Sequence, residues 1–201
     1  MTRVSGKIIG KVAIVGLSAL LLASCSRDGR EMKPPTADQT ETIAIATTIA
    51  ESITSVQELT IAAPWEDGEQ IDVQFTCDGS KLSPSFDIAG LPDGTVTWGL
   101  SIVDQMALDA VHWALANVDP TINHVDAGAV PAGAVQSLNR LQKVGYAAPC
   151  PKAGEPHTYV LTVYAVSQQL EVSDGMDAET MLTSLEAGSL GITSITFTVT
   201  R

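Results

Sequence analysis

Two apolar runs, residues 96–103 and 111–118, dominate the hydrophobic pattern of the chain. Both have the length and β-branched content of β-strands. Shorter segments carry a strand signature too. Residues 59–62 form a small apolar run ended by Pro64. Ile71, Val73 and Phe75 alternate with Asp72 and Gln74, as a half-buried strand would. Tyr159, Leu161, Val163 and Ala165 alternate in the same way, and near the end Ile195, Phe197 and Val199 alternate against threonines. One helix stands out, at about 177–186. Asp177 is placed to cap it, Met181, Leu182 and Leu185 give the i, i+3/i+4 stripe, and Gly188 closes it.

Between these elements the chain is punctuated by turn residues. Cys77-Asp78-Gly79, Pro92-Asp93-Gly94 and Ser173-Asp174-Gly175 each predict a turn. Residues 117–142 and 146–157 lack a period and predict irregular connections. Five or six strands and one late helix define a single, mainly β domain over 59–201. About 140 residues can bury a substantial core.

The segment before that domain has another character. Arg3, Lys7 and Lys11 precede an apolar stretch over 12–23, too short to cross a bilayer comfortably but suited to a signal peptide. Its ending, Leu22-Ala23-Ser24-Cys25, resembles the bacterial lipoprotein signal, which implies cleavage after residue 24 and acylation of Cys25. Residues 25–58 then read as a flexible tether: Pro34-Pro35 excludes helix, and Ile43, Ile45, Ile49 and Ile53 keep no period. The expected location is the extracytoplasmic face of the cell membrane, held there by lipid.

Charge narrows the partners. The chain has 11 basic and 23 acidic residues. Removing residues 1–24 takes three of the basic ones and no acidic one, so the remainder carries 8 − 23 = −15. That balance argues against nucleic acid and against electrostatic docking on anionic lipid. Of three cysteines, Cys25 is assigned to lipid, which leaves Cys77 and Cys150 as natural disulfide partners in an exported domain. Two reduced, buried thiols are the alternative.

The candidate chemistry lies between the two long runs. Asp104 ends the first and His112 stands near the start of the second, so a carboxylate and an imidazole can face one hollow. His157 and the segment Ala147-Ala-Pro149-Cys150-Pro151 can complete it. Taken singly, Asp104 reads as a turn cap and His112 as a satisfied sheet residue.

Together the blocks Phe75-Thr-Cys-Asp78-Gly79 with Ser83-Pro84, Asp104, His112-Trp113, Gly145-Tyr146-Ala-Ala-Pro149-Cys150-Pro151 and His157-Thr-Tyr159 resemble the phosphatidylethanolamine-binding protein family, in its bacterial, Raf-kinase-inhibitor-like branch. The resemblance implies a two-sheet β-sandwich with a late helix and a small pocket for a phosphate or phospho-headgroup. It assigns Asp104, His112 and His157 to that pocket and Pro149 to its wall. The chain departs from the family pattern at Met106, Gln105 and Leu108, where the motif has Asp and prolines. It departs again at Thr158, which stands where an arginine usually follows the second histidine and so removes a cation.

Three functions fit these residues. The favoured one is a lipid-anchored binding protein for a small polar anion, with no cofactor and no metal, in which both histidines donate to the oxyanion and Asp104 orients one ring. An enzyme would use the His/His/Asp set as a metal triad or acid–base pair, but no nucleophile elbow or metal-ligand spacing accompanies it. A protein-level inhibitor of a protease or kinase is the third.

Overall fold

The computed structural model describes residues 58–108 and 110–201. The expected signal peptide, the lipidation site Cys25 and nearly all of the tether lie outside them. Eight strands and one helix follow in order: β1 (Thr60–Ala62), β2 (Phe86–Ala89), β3 (Thr97–Asp104), β4 (Ala110–Val118), β5 (His124–Val125), β6 (Val135–Gln136), β7 (His157–Val166), α1 (Ala178–Ala187) and β8 (Ser189–Val199). They form two antiparallel sheets, one ordered β1-β2-β5 and the other β6-β4-β3-β7-β8.

The larger sheet is covered on both faces, which is why β3 and β4 read as continuous apolar runs. Its inner face packs Trp98, Leu100, Ile102, Trp113, Leu115, Tyr159, Leu161 and Phe197 against Phe86, Ile88 and Val125 of the smaller sheet. Its outer face presents small residues, Ala114 and Ala116, with Tyr164 and Val166, to Met181 and Leu185 of α1. The helix sits very close to β3. A Cβ on Gly99 would meet Leu115 O at 2.6 Å and Leu185 Cδ2 at 2.4 Å, so only glycine fits at that point of the central strand. The helix itself forms as its sequence predicts: Asp177 accepts from Thr180 N at 3.1 Å, and Gly188 is the C-cap.

Two elements differ from the sequence pattern. The Ile71/Val73/Phe75 alternation is not a strand but leads into a 3-10 helix at Val73–Phe75, with Asp72 as its cap accepting from Gln74 N at 2.8 Å. The apolar spacing alone reads as a two-residue period, and the Asp72 carboxylate closes a turn that this spacing does not record. Val73 is then 58% exposed while Ile71 and Phe75 are buried. The connection over 117–142 is not wholly irregular either, since it contains β5 and β6, each only two residues long.

Cys77 and Cys150 form a disulfide, with Cα atoms 5.3 Å apart. The same junction is reinforced by Cys77 N donating to Pro149 O at 3.0 Å and Tyr146 Oη donating to Phe75 O at 2.7 Å. The covalent bond and both hydrogen bonds tie the 3-10 region to the segment over 146–150.

Candidate functional site

The site is built at one end of the larger sheet by the ends of three adjacent strands. Asp104 is the last residue of β3 and pairs with Ala110 of β4 on one side and Tyr159 of β7 on the other. His157 is the first residue of β7. His112 belongs to β4 and occupies a place that alternation alone would not give it. Ile102 opposes Trp113 and Val103 opposes Val111, so His112 is the extra residue of a β-bulge. Bulges re-aim a side chain without ending a sheet. The bulge brings His112 alongside Tyr159, a residue of the inner core, while Val111 and Ala114 pack with the helix side.

The three predicted polar residues converge. Asp104 is 2% exposed. Its Oδ1 accepts from Met106 N at 2.9 Å, which closes the turn after β3. Its Oδ2 accepts from His157 Nδ1 at 2.7 Å and stands 3.9 Å from His112 Nε2. Tyr159 lies between the imidazoles, edge-on to His112 with centroids 5.1 Å apart and stacked on His157 at 6.3 Å. Burial, then the Asp104 charge, push the Tyr159 phenol well above its ordinary pKa, so it remains a neutral hydroxyl.

His112 differs from its expected role as a cationic donor. The ring is fully buried, and its Nδ1 lies 2.6 Å from Ala147 O, so that nitrogen carries the proton. Burial pulls its pKa down to about 4, against the Ala147 bond, which raises it; Arg140 lowers it further and Asp104 raises it slightly. His112 is therefore neutral, and its tautomer is fixed by Ala147 rather than by Asp104. Its Nε2 is buried with no hydrogen-bond partner among the described residues. The carboxylate orients His157 instead.

A cation that the sequence does not advertise acts here. Thr158 fails to provide one, but the Arg140 guanidinium acts electrostatically on both His112 and Tyr159. Its backbone is held at the bulge by Arg140 N donating to Val111 O at 2.7 Å, and Ala147 N donates to His112 O at the same distance. The buried Asn139 clamps this loop: its amide donates to Gly145 O at 2.7 Å and its Oδ1 accepts from Leu141 N at 2.8 Å. The position of Arg140 depends on non-local pairing, and hydrophobic period carries no trace of it.

Pro149 is buried two residues beyond Ala147. Surface clefts among the described residues lie elsewhere. One of about 480 Å³ runs between Leu108 and Val111 and the helix residues Glu179, Leu182 and Glu186. Another of about 300 Å³ is lined by Lys81, Trp113, Gln136 and Tyr146. Neither includes Asp104, His112 or His157. Among the described residues no three His, Cys, Asp or Glu side chains are arranged to hold a metal ion.

Residues 62–200 match the sequence model described as phosphatidylethanolamine-binding protein. A UPF0098 protein of Methanothermobacter thermautotrophicus is 33% identical over 134 residues, covering 63% of this chain and 88% of that relative. The Mycobacterium tuberculosis protein named "Putative lipoprotein LppC" is 32% identical over 171 residues, covering 82% of this chain and 83% of its own. Among solved structures, Escherichia coli YbcL, described as a new member of the mammalian PEBP family, superposes with a TM-score of 0.66 at 23% identity, over 72% of this chain and 99% of that one. At that identity the superposition speaks for the fold.

Proposed function

This chain belongs to the phosphatidylethanolamine-binding protein family, and on that premise we propose that it is a lipid-anchored, extracytoplasmic binding protein whose Asp104–His112–His157 pocket takes a small phosphate-like anion. The observation that carries the reading is the buried Asp104 carboxylate, which accepts from His157 Nδ1 at 2.7 Å and has His112 Nε2 3.9 Å away, at the end of a rigid sheet. A carboxylate and two imidazoles held by packed strands form a preorganised set. His157, with its side chain 20% exposed, is the ring a ligand meets first, and Arg140 supplies the positive field an anion needs. Pro149 is assigned to the wall by the family resemblance, and its carbonyl is held by Cys77 N at 3.0 Å.

The anchor is supported from two directions. The Leu22-Ala23-Ser24-Cys25 ending resembles a lipoprotein signal, and a relative matched over 82% of this chain is named as a lipoprotein. Lipid on Cys25 would place the pocket near a membrane without help from charge.

Calorimetric titration with inorganic phosphate and phosphoethanolamine tests the pocket. Wild type should bind, and His157→Ala should weaken binding by about 1.5–3 kcal/mol, the scale of a hydrogen bond to a charged group. Equal binding by the two proteins would sink the assignment.

A further inference from the structure

We propose that the cleft of about 300 Å³ beside β4 and β6 is a second binding site, for a carboxylate borne next to a large apolar group. A free hydrophobic acid and the C-terminal residue of a peptide chain both present that chemistry. None of Asp104, His112 and His157 lines this cleft, and it stands apart from the anion-pocket reading.

Three stretches, residues 81–83, 128–130 and 144–146, wall the cleft over a floor of Trp113 and Gln136. They are pinned to one another and to the core. Gly128 N donates to Ser83 O at 2.9 Å, and Leu82 packs so closely there that a Cβ on Gly128 would meet its Cδ2 at 2.9 Å. Tyr146 lies edge-on to Trp113, with centroids 5.9 Å apart, and its Oη donates to Phe75 O at 2.7 Å. Leu82, Val130 and Val144 are exposed around the rim. The lining is thus largely apolar with a few placed polar groups, the composition of a small-ligand site.

Each of those polar groups can donate. Trp113 Nε1 has no acceptor capacity, so its 2.9 Å bond fixes Gln136 Oε1 as the acceptor and leaves Nε2 with two hydrogens to give. Nε2 has no partner among the described residues. The Gln136 backbone is tied at both atoms, its N to Asp174 Oδ1 and its O by Gly175 N, each at 2.8 Å. Ser83 is 5% exposed, and its hydroxyl makes no hydrogen bond among the described residues. Among those residues the enclosed side-chain polar atom without a partner is His112 Nε2, so the Ser83 hydroxyl keeps an opening, and this cleft is the cavity it lines. A side chain buried so far with an unused hydroxyl calls for a partner.

Charge selects the class of ligand. Residues 58–201 contain five lysines and arginines, of which Lys152 pairs with Glu155 and Arg201 with Asp78. Lys81 forms no ion pair among the described residues, and it lines this cleft, where no Asp or Glu does. The acids on the flanking segments are engaged elsewhere, Asp126 with His124 and Asp174 with Gln136 N. One ammonium, one amide and one hydroxyl suit a single negative charge spread over two oxygens. Tyr146, Leu82 and Val130 then receive the apolar group beside it.

Proton–nitrogen NMR of the labelled protein reads the site through the Trp113 indole N–H and the Gln136 side-chain amide. N-acetylphenylalanine at neutral pH should move both signals. Its amide should bind at least tenfold more weakly, the scale of one lost charge-assisted hydrogen bond. Lys81→Met, at an exposed position, should weaken the acid about tenfold and leave the amide unchanged. Gln136→Glu keeps an acceptor for Trp113 and replaces the donor by a negative oxygen, so it should abolish binding of the acid while sparing the amide. A peptide ending in phenylalanine separates the two sources: tighter binding than the single residue assigns the site to chain termini, and equal or weaker binding assigns it to free acids. Equal binding of acid and amide, or a Lys81→Met protein that takes the acid as wild type does, overturns the inference. So does the absence of any shift at Trp113 and Gln136.

Discussion

His157 Nδ1 donates to Asp104 Oδ2 at 2.7 Å, joining the first residue of β7 to the last residue of β3. The carboxylate is nearly inaccessible, whereas the ring it holds is one-fifth exposed. In the proposed pocket, Asp104 would thus act on a ligand through His157. Asp104→Asn keeps the shape and removes the charge. It should leave the domain folded and change the pH profile of phosphate binding more than the affinity at any one pH, as calorimetry across acidic and neutral pH will reveal. An unchanged profile would separate Asp104 from the site.

His112 gives the protein a pH-dependent stability with a definite sign. Its folded pKa, about 4, lies below the unfolded value of 6.5. Between those values the unfolded chain binds a proton that the native one does not, so stability falls as pH drops from 6.5 towards 4 and then levels off. The span is worth roughly 3 kcal/mol. His124 acts in the opposite direction: Asp87, then Asp126, raise its pKa, so its contribution is full at low pH and fades as pH rises. Urea unfolding of His124→Gln across this range should isolate the His112 slope.

The disulfide closes a separation of 73 residues. In the chain-entropy account, a loop of that size contributes about 4 kcal/mol. Cys77→Ser with Cys150→Ser should lower the urea midpoint accordingly. Free-thiol titration of denatured, unreduced wild type should find neither Cys77 nor Cys150 reactive.

Gly99→Ala tests the close approach of the helix to β3. The added methyl meets Leu115 backbone as well as the movable Leu185, so a cost of about 1–3 kcal/mol is expected. A neutral effect on the thermal midpoint would mean that both the Leu185 side chain and the β4 backbone yield to the methyl.

Cys25→Ala tests the anchor. The variant should lose its lipid and leave the membrane fraction, or persist as an uncleaved precursor. A cleaved variant that still sediments with membranes would refute the lipoprotein reading.

Much of the frame is legible in the residues alone. The strand runs of β3 and β4, the alternation of β7 and β8, and the Asp177-capped helix all rest on local period and local capping, which short windows record. The 3-10 turn at Val73 escapes because it is three residues long and is set by the Asp72 side chain, not by a hydrophobic period. Asp104, His112 and His157 can be nominated because polar residues at strand ends are conspicuous. The proton on His112 cannot, since it depends on Ala147, 35 residues away. Arg140 lies in a loop whose placement comes from Asn139 and from backbone pairing to Val111, and neither leaves a pattern in the sequence.

The bulge at His112 has an evolutionary consequence. One residue separates a strand that carries this imidazole inward from a strand that simply continues. A one-codon deletion between Val111 and Trp113 would restore regular pairing there, preserve the sandwich and remove His112 from the proposed pocket. Family membership and ligand chemistry can therefore part company by the smallest possible edit. When the site is traced into other genomes, Trp113 is the landmark to align on, and the length of the step before it is the character to score.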